Sequence, residues 1–422
     1  MTTEPIDFKS DFKRPLPEGW RWVSLRDVLF SLETGSRPKG GTVGIRTGVP
    51  SISAEHMTRT GSFNFSTVQY VPYDFYKLMN RGRIELFDIL VVKDGATTGK
   101  VVLVKEDFRF AQAVVNEHVF LCRPNPSMIE PYWLFYWLWS PEGQRRIRAN
   151  FQGSAIGGIS QSFVDIVLIP VPLISEQKRI AAILNEQMEA VQRARKTTQA
   201  QLEAAKALPA AYLRQVFPLF GEELPEGWQW MKLGVACEKN TGTRDPLKKP
   251  DKSFLYVDIT SVDNIKKAIG TTKIIQGKDS PSRARKVIYK RDVIISTTRP
   301  NLNAVAMVPS YLDNQICSTG LCVLRATSEL DCDYLFLFVK NAQFVENLSR
   351  LVTGALYPVV TDKQVFSEFI PLPPLSEQKR IAAILNEQME AVGRLRTALE
   401  AQLKTINILP AALLRKAFNG EL

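Results

Sequence analysis

From Ser175 to Leu208 the chain contains no glycine or proline, and its apolar and small side chains recur at alternating steps of four and three: Ile180, Leu184, Gln187, Val191, Ala194, Thr198, Gln201, Ala205 and Leu208. That is the spacing of a coiled-coil seam. The stretch predicts one helix about 50 Å long at 1.5 Å per residue. Ser175 can cap the unpaired N–H groups at its start, and Glu176 and Gln177 suit its first turn. The same pattern returns from Ser376, with Ile381, Leu385, Gln388, Val392, Leu395, Leu399, Gln402, Ile406 and Leu409 in the corresponding places. Where the second copy carries Leu395, Leu399 and Ile406, the first carries Ala194, Thr198 and Ala205. Bulky residues facing small ones favour two unequal helices packed on each other over two helices docked separately. A two-fold relation between the halves makes that pair antiparallel.

The helices are a written repeat. SEQKRIAAILNEQMEAV occupies Ser175–Val191 and again Ser376–Val392, letter for letter. LPEGWRW at Leu16–Trp22 returns as LPEGWQW at Leu224–Trp230, and LPAAYLRQVF at Leu208–Phe217 as LPAALLRKAF at Leu409–Phe418. So long a period means duplicated domains, not a solenoid. The expected organisation is an N-terminal extension (1–15), a first variable domain (16–174), a central helical region (175–217), a second variable domain (218–375) and a C-terminal helical region (376–422).

Between the helices the pattern changes to short β-rich runs. Phe87–Val104 has two such runs around a Gly/Thr turn, and Arg291–Val308 holds the same place in the second half. HVFLCRP and LCVLRA read as further strands. Pro131–Ile147 and Asp333–Leu351 read as one buried helix each. The polar turns Gly153–Ser160 and Thr353–Val360 and the short strands VLIPVP and EFIPLP follow. The fold class is therefore mixed α/β, in two tandem domains of one fold, separated by two long helices forming an antiparallel coiled coil with pseudo-two-fold symmetry. The aromatic run from Tyr132 to Trp139 is assigned to the core, and LPEGW to a turn with a buried tryptophan.

Composition narrows the function. The net charge is +11 over 422 residues, which favours a polyanion such as nucleic acid. Candidate contacts in the first domain are Arg37, Lys39 and Arg46 in a Gly-rich loop, then Lys93, Thr97, Thr98 and Lys100. In the second they are Arg244, Lys248, Lys249, Arg283, Arg285, Lys286, Thr297, Thr298, Arg299, Asn301 and Asn303. Lysine and arginine neutralise phosphates, and Arg, Asn and Thr can also read base edges. The two histidines and five cysteines lack metal-ligand or catalytic spacing. Buried, reduced thiols in a cytoplasmic protein are expected. No run of about 18 apolar residues predicts a membrane span, and MTTEPIDFKSDFKR has no signal-peptide apolar region. There is no GxxxxGK[ST] loop and no Asn-Pro-Pro-aromatic tetrapeptide. Asp88 with Lys93 is the one weak hint of a nuclease carboxylate–lysine pair.

The duplicated PLPPLSEQKRIAAIL-type block, LPEGW at the head of each domain and LLRKAFNGEL at the end resemble the specificity (S) subunit of a type I restriction–modification enzyme, from Leu16 to Leu422. The resemblance implies a subunit that is not catalytic by itself. Each variable domain would be a target recognition domain for one half of an asymmetric bipartite site in double-stranded DNA. The helix pair, with seam residues Ile180, Leu184, Val191, Leu208, Ile381, Leu385, Val392, Leu395, Leu399 and Ile406, would set the spacer and dock two methyltransferase (M) subunits. Restriction/translocase (R) subunits would join them. No cofactor is expected on this chain; S-adenosylmethionine, ATP and magnesium would serve the partners. An autonomous DNA-binding nuclease and a structural coiled-coil adaptor are the alternatives.

Overall fold

The computed structural model describes residues 15–149, 151–153, 157–238, 241–352 and 358–422. Most of the N-terminal extension, and parts of the Gly153–Ser160 and Thr353–Val360 turns, lie outside the described residues. Two compact units are formed. One comprises the chain up to Thr197 together with Gln402–Leu422, the other Thr198–Ala401.

In the first unit, β1 (Arg21–Ser24), α1 (Leu25–Val28) and β2 (Leu29–Thr34) lead to β3 (Val49–Ile52) and β4 (Gln69–Val71). Then come α2 (Tyr73–Leu78), β5 (Ile89–Val92), β6 (Val101–Leu103), β7 (Val114–Val115) and β8 (Val119–Pro124). The unit continues through α3 (Pro131–Trp139), α4 (Pro141–Arg148), β9 (Phe151–Gln152), β10 (Gly158–Ile159), α5 (Phe163–Ile166) and β11 (Leu168–Val171) to the long α6 (Ile174–Val216). Strands β2-β8-β5-β6 form an antiparallel sheet whose central strand β5 is buried throughout. A second sheet, β4-β3-β7, contains one parallel pair, β3 with β7. Strand β1 pairs antiparallel with β11, so the LPEGW segment is joined directly to the strand that feeds the long helix.

The second unit repeats this plan with other residues. Its elements are β12 (Gln229–Lys232), α7 (Leu233–Ala236), β13 (Ser253–Val257), β14 (Val262–Asp263), β15 (Ala268–Ile269), β16 (Lys273–Gln276) and β17 (Ala284–Ile288). They continue with β18 (Val293–Ser296), β19 (Val305–Met307), β20 (Gln315–Ser318), β21 (Leu321–Leu324), α8 (Cys332–Val339), α9 (Ala342–Arg350), α10 (Asp362–Ser367), β22 (Phe369–Leu372) and the long α11 (Leu375–Phe418). Strands β19-β18-β21 match β6-β5-β8, the parallel pair β13–β20 matches β3–β7, and β12–β22 matches β1–β11.

The helices expected at Pro131–Ile147 and Asp333–Leu351 are each two. Ser140 caps α4 through its hydroxyl, which accepts from the Gly143 N–H, and Pro141 begins the new helix. Asn341 caps α9 in the same way. The aromatic run is core: Trp133, Phe135, Tyr136 and Trp137 are buried. The indoles of Trp133 and Trp137 donate to the Pro170 and Leu168 carbonyls, both at 3.0 Å. In the second unit the Tyr334 hydroxyl donates to the Pro371 carbonyl at 2.7 Å. Trp20 of LPEGW is half-buried, edge-on to Trp133.

The long helices depart from expectation at both ends. Each begins one residue before its serine, so Ser175 and Ser376 lie within the first turn instead of capping it. Each also continues through a proline, Pro209 or Pro410. A proline inside a helix costs about 3 kcal/mol. Beyond it, Leu213 in α6 and Phe217 just after the helix end, and Leu414, Ala417 and Phe418 in α11, are buried, which offsets that cost. Phe418 lies 4.7 Å from the ring of Trp133 and 4.9 Å from that of Trp137, in one cluster with Ile180 and Leu184 of α6. Phe217 packs likewise on Tyr334 and Phe338, beside Ile381 and Leu385 of α11. In each unit the head of one long helix therefore meets the tail of the other, and the pair is antiparallel.

Ile180, Leu184, Ile381, Leu385, Val392, Leu399 and Ile406 are buried, whereas Val191 and Leu208 are half-buried. Leu395 is corrected: it is 45% exposed, off the contact face. The row beside Val191, Thr198, Ala205, Val392, Leu399 and Ile406 lies one residue further along than the sequence suggests. It uses Met188, Arg195, Leu202, Met389, Arg396 and Leu403. The shift buries Leu202 and leaves Gln201 and Gln402 in water.

Two buried polar devices occur once per unit. The first belongs to the repeated Ser-Glu-Gln. The Gln177 side chain accepts from the Glu130 N–H (2.9 Å) and donates to the Pro172 (3.0 Å) and Met128 (3.3 Å) carbonyls. Gln378 does the same with the Asp331 N–H (2.8 Å) and the Pro373 and Glu329 carbonyls (both 2.9 Å). The second is an ion pair. Arg123 holds Asp88 through two bonds of 2.9 Å, and Arg325 holds Asp292 through bonds of 2.9 and 2.8 Å. Burial pushes both carboxyls up from the ordinary carboxylate range, against the pull of these bonds. Each aspartate follows a residue in the left-handed region, Phe87 or Arg291. The Asp88 carboxylate is thus taken up by Arg123, and the Lys93 ammonium lies 5.9 Å from the Phe120 ring centre. The hinted carboxylate–lysine pair is not assembled.

Replacing Gln378 by leucine strands a backbone N–H and two carbonyls. We expect about 3 kcal/mol of lost stability, read by denaturant unfolding; unchanged stability would show that the glutamine does not hold the helix. Arg325→Met leaves the buried Asp292 unpaired and should cost about 3–5 kcal/mol, most of it recovered in the Asp292→Leu/Arg325→Met double variant. A double variant as unstable as the single would refute the pairing.

Candidate nucleic-acid interface

In both units the strand after the buried aspartate leads into the turn that carries most of the candidate reading groups. In the first unit β5 and β6 are joined by Lys93–Lys100, closed by bonds from the Gly99 N–H to the Val92 carbonyl (2.8 Å) and from the Val92 N–H to the Lys100 carbonyl (2.9 Å). Gly95 and Gly99 both take positive φ, which glycine alone adopts without strain. The segment before β11 docks on this turn: the Gly95 N–H donates to the Gly157 carbonyl and the Ile159 N–H to the Lys93 carbonyl. A side chain at Gly158 would meet that carbonyl at 2.7 Å, so the close approach requires glycine. In the second unit the equivalent turn, between β18 and β19, is held by the Arg299 N–H on the Pro358 carbonyl and the Val360 N–H on the Thr297 carbonyl. Arg299 and Asn303 are both left-handed here. That conformation is ordinary for asparagine and costly for arginine.

The candidate residues divide by what their polar ends touch. Lys39, Arg46, Lys248, Lys249, Arg283, Arg299 and Asn301 are exposed. Arg37 is exposed and pairs with Glu117. Thr97 and Thr98 are half-buried on the first turn, and the Thr98 hydroxyl donates to the Gly95 carbonyl at 2.7 Å. Others are occupied internally. Lys100 donates to the Met57 (2.6 Å) and Ala54 (3.3 Å) carbonyls. Arg244 holds Asn314 through that residue's carbonyl and side chain. Arg285 faces Asp245 at 3.5 Å, and Lys286 is bonded to Asp362 and the Leu321 carbonyl. Thr297 is buried and donates to the Gly320 carbonyl, Thr298 is half-buried, and the Asn303 amide donates to the Lys340 carbonyl at 3.4 Å.

Sequence reading missed several groups at the same places. Lys267 donates to the Asn303 carbonyl and so braces the second turn from below. Lys340, at the end of α8, stands 4.4 Å over the Phe336 ring. Burial, with the charge of Lys267 added, pushes its ammonium down to about 8. His118 bonds to Asp94 at 2.7 Å and faces Glu117 at 3.3 Å beside the first turn. No motif marks these residues, because the segments that bring them to the turns are remote in sequence.

Cys122, Cys237, Cys317 and Cys322 are buried and Cys332 is half-buried. Burial pushes the Cys237 and Cys317 thiols up to about 12, which makes them poor nucleophiles. Among the described residues, no group of three His, Cys, Asp or Glu side chains is placed to hold a metal ion. No described helix is long and apolar enough to cross a membrane.

Comparison with known proteins agrees with the duplicated plan. Residues 17–204 and 225–405 each match the family described as type I restriction modification DNA specificity domain. The chain is 23% identical over 419 residues to the type I restriction enzyme MjaVIII specificity subunit of Methanocaldococcus jannaschii, covering 92% of this chain and 89% of that one. Its fold is shared with a chain from a structural study of complex assembly and conformational transition of the type I R-M system. That match has a TM-score of 0.72 at 24% identity, over 97% of this chain and 100% of the other. The HsdS subunit from Thermoanaerobacter tengcongensis matches with a TM-score of 0.63 at 24% identity, over 98% of this chain and all of its own. With two matched domains covering most of its length, the chain belongs to the family of type I restriction–modification DNA specificity subunits.

Proposed function

We propose that residues 16–174 and 218–375 are two target recognition domains, each reading one half of an asymmetric bipartite site in double-stranded DNA. The observation that carries this is the contrast between one scaffold and two turns. The Gln latch, the Asp–Arg pair and the docked turn recur in both units, whereas the turns themselves read KDGATTGK and TTRPNLN. A fixed frame that presents different polar side chains is what two unlike half-sites require.

The helical regions 175–217 and 376–422 set the number of unread base pairs between the half-sites and dock two methyltransferase subunits, to which restriction/translocase subunits add. Support for a partner met twice lies in the repeated peptide. Seam and latch demand identity at the buried positions, but Lys178 and Glu186 are exposed and identical to the exposed Lys379 and Glu387. Packing within the chain does not account for that. In this reading the chain works in the cytoplasm and contributes recognition alone. S-adenosylmethionine, ATP and magnesium serve the partners, and the target base flips into the methyltransferase.

Exchanging residues 16–174 for the corresponding domain of another specificity subunit, with the methyltransferase co-expressed, should change one half of the methylated sequence and leave the other half as it was. Mapping of methylated adenines reads this directly; changes in both halves, or in neither, would overturn the assignment. Inserting seven residues after Thr197 and seven after Ala401 lengthens each helix by about 10.5 Å. At about 3.4 Å per base pair the spacer should grow by about three base pairs with both half-sites intact. An unchanged spacer would show that the helices do not set it.

A further inference from the structure

A recess of about 400 Å³ opens in the first unit beside the Lys93–Lys100 turn. Three segments distant in sequence line it: the turn, with Thr97, Thr98 and Lys100; the loop after β3, with Arg59; and α4, with Gln144 and Arg148. Trp139 forms a further wall. Its indole N–H donates to the Arg59 carbonyl at 3.0 Å, and its ring lies parallel to Phe135. Among the described residues no acidic side chain lines the recess.

Its cations are arranged in two ranks. Lys100 is tied to the Met57 and Ala54 carbonyls and is a fixed charge at the wall. Burial and the neighbouring Arg59 both push its ammonium down from the ordinary lysine value, so the positive charges here repel one another. The Arg59 and Arg148 side chains are exposed at the rim. Arg148 is steadied by the Gln144 side-chain oxygen, to which it donates at 3.2 Å. The Gln144 amide nitrogen is itself spent on the Gly99 (2.8 Å) and Leu138 (2.9 Å) carbonyls. Gln144 thus fastens the turn to α4 and aims an arginine at the same time.

We infer that this recess seats one backbone phosphate of the bound duplex, with Arg59 and Arg148 as its guanidinium donors, the Thr97 hydroxyl beside them and Lys100 as the charge behind. A phosphate fits better than a base. Guanidinium forks match its oxygens, the three cations lack an acidic counterpart, and the one carboxamide able to read a base edge is already bonded to the protein. Such a contact carries no sequence information; it fixes the register in which the adjacent turn faces the groove. The inference rests on the reading that the first unit binds duplex DNA.

The test uses the full chain with its methyltransferase partner and a duplex bearing the target defined by methylation mapping. Arg59→Gln and Arg148→Gln should each weaken binding about tenfold near physiological salt and lower the slope of log affinity against log salt by about 0.9. The methylated sequence should not change. Arg148→Lys, which keeps the charge, should retain the slope. A scan of single neutral methylphosphonate linkages should find one position that weakens the native chain about tenfold and costs Arg148→Gln clearly less, since only part of the seat remains to lose. Native affinity and slope in both glutamine variants, or no such position in the scan, would overturn the phosphate seat and leave half-site recognition standing. A native complex that does not prefer the mapped target over unrelated duplex would overturn the recognition reading, and the seat with it.

Discussion

A long helix that leaves a small domain must do so at a defined angle, and here one buried carboxamide sets it. Gln177 and Gln378 each satisfy a backbone N–H and a carbonyl just before the aromatic helix, and one carbonyl at the long helix's own origin. Only a side chain with both a donor and an acceptor, at glutamine's reach, can do this. Glutamate lacks the donor, and leucine would strand all three groups. Each unit therefore couples its terminal strand, its aromatic helix and the first turn of its long helix through a single residue. The tail of the other long helix then closes the same cluster, with Phe418 on Trp133 and Trp137 in one unit and Phe217 on Tyr334 and Phe338 in the other.

That arrangement separates the parts that must stay constant from those free to vary. The Asp–Arg pair and the backbone bonds from the Gly95 N–H to the Gly157 carbonyl and from the Arg299 N–H to the Pro358 carbonyl fix where each turn stands. None of these contacts specifies the side chains on the turn's outer face. A domain of this kind can change Thr97 and Thr98, or Arg299 and Asn301, without disturbing the sheet beneath. Fixed main chain under replaceable side chains is the physical condition for one fold to serve two recognition tasks.

Much of the fold was legible because the repeat doubles every signal. The long helices, the terminal strands, the strand–turn–strand around KDGATTGK and the aromatic core all stand where periodicity and composition put them. The failures were local. Ser140 followed by Pro141 is a capping pair that splits a helix, at the point where the apolar run ending at Trp139 gives way to the polar EGQRR, and helix-compatible residues on both sides mask it. Pro209 and Pro410 look like helix ends until the burial of Leu213, Phe217, Leu414 and Phe418 is known. The seam was placed one residue off because Gln201 and Leu202, like Gln402 and Leu403, are adjacent. A four–three pattern passes through either member of each pair, and only the packing selects the leucine.

The recognition surface was the least legible part, for an electrostatic reason. A surplus of positive charge says that anions are attracted, not which cations meet them. Several of the basic residues nearest the turns are engaged with the protein itself: Lys100 with carbonyls, Arg244 with Asn314, Lys286 with Asp362. These still contribute to the long-range field, since a cation hydrogen-bonded to a carbonyl keeps its charge, but their donors are not available to a ligand. The residues that do present free faces to the first turn, Arg59 and Arg148, come from a loop and a helix far away in sequence. Neither carries a motif, and each looks alone like an ordinary solvated arginine. Their meaning arises only when Gln144 fastens α4 to the Gly99 carbonyl and the Trp139 indole holds the Arg59 carbonyl, which together bring the two arginines to one recess, so the site is a product of the fold and not of any segment of the chain.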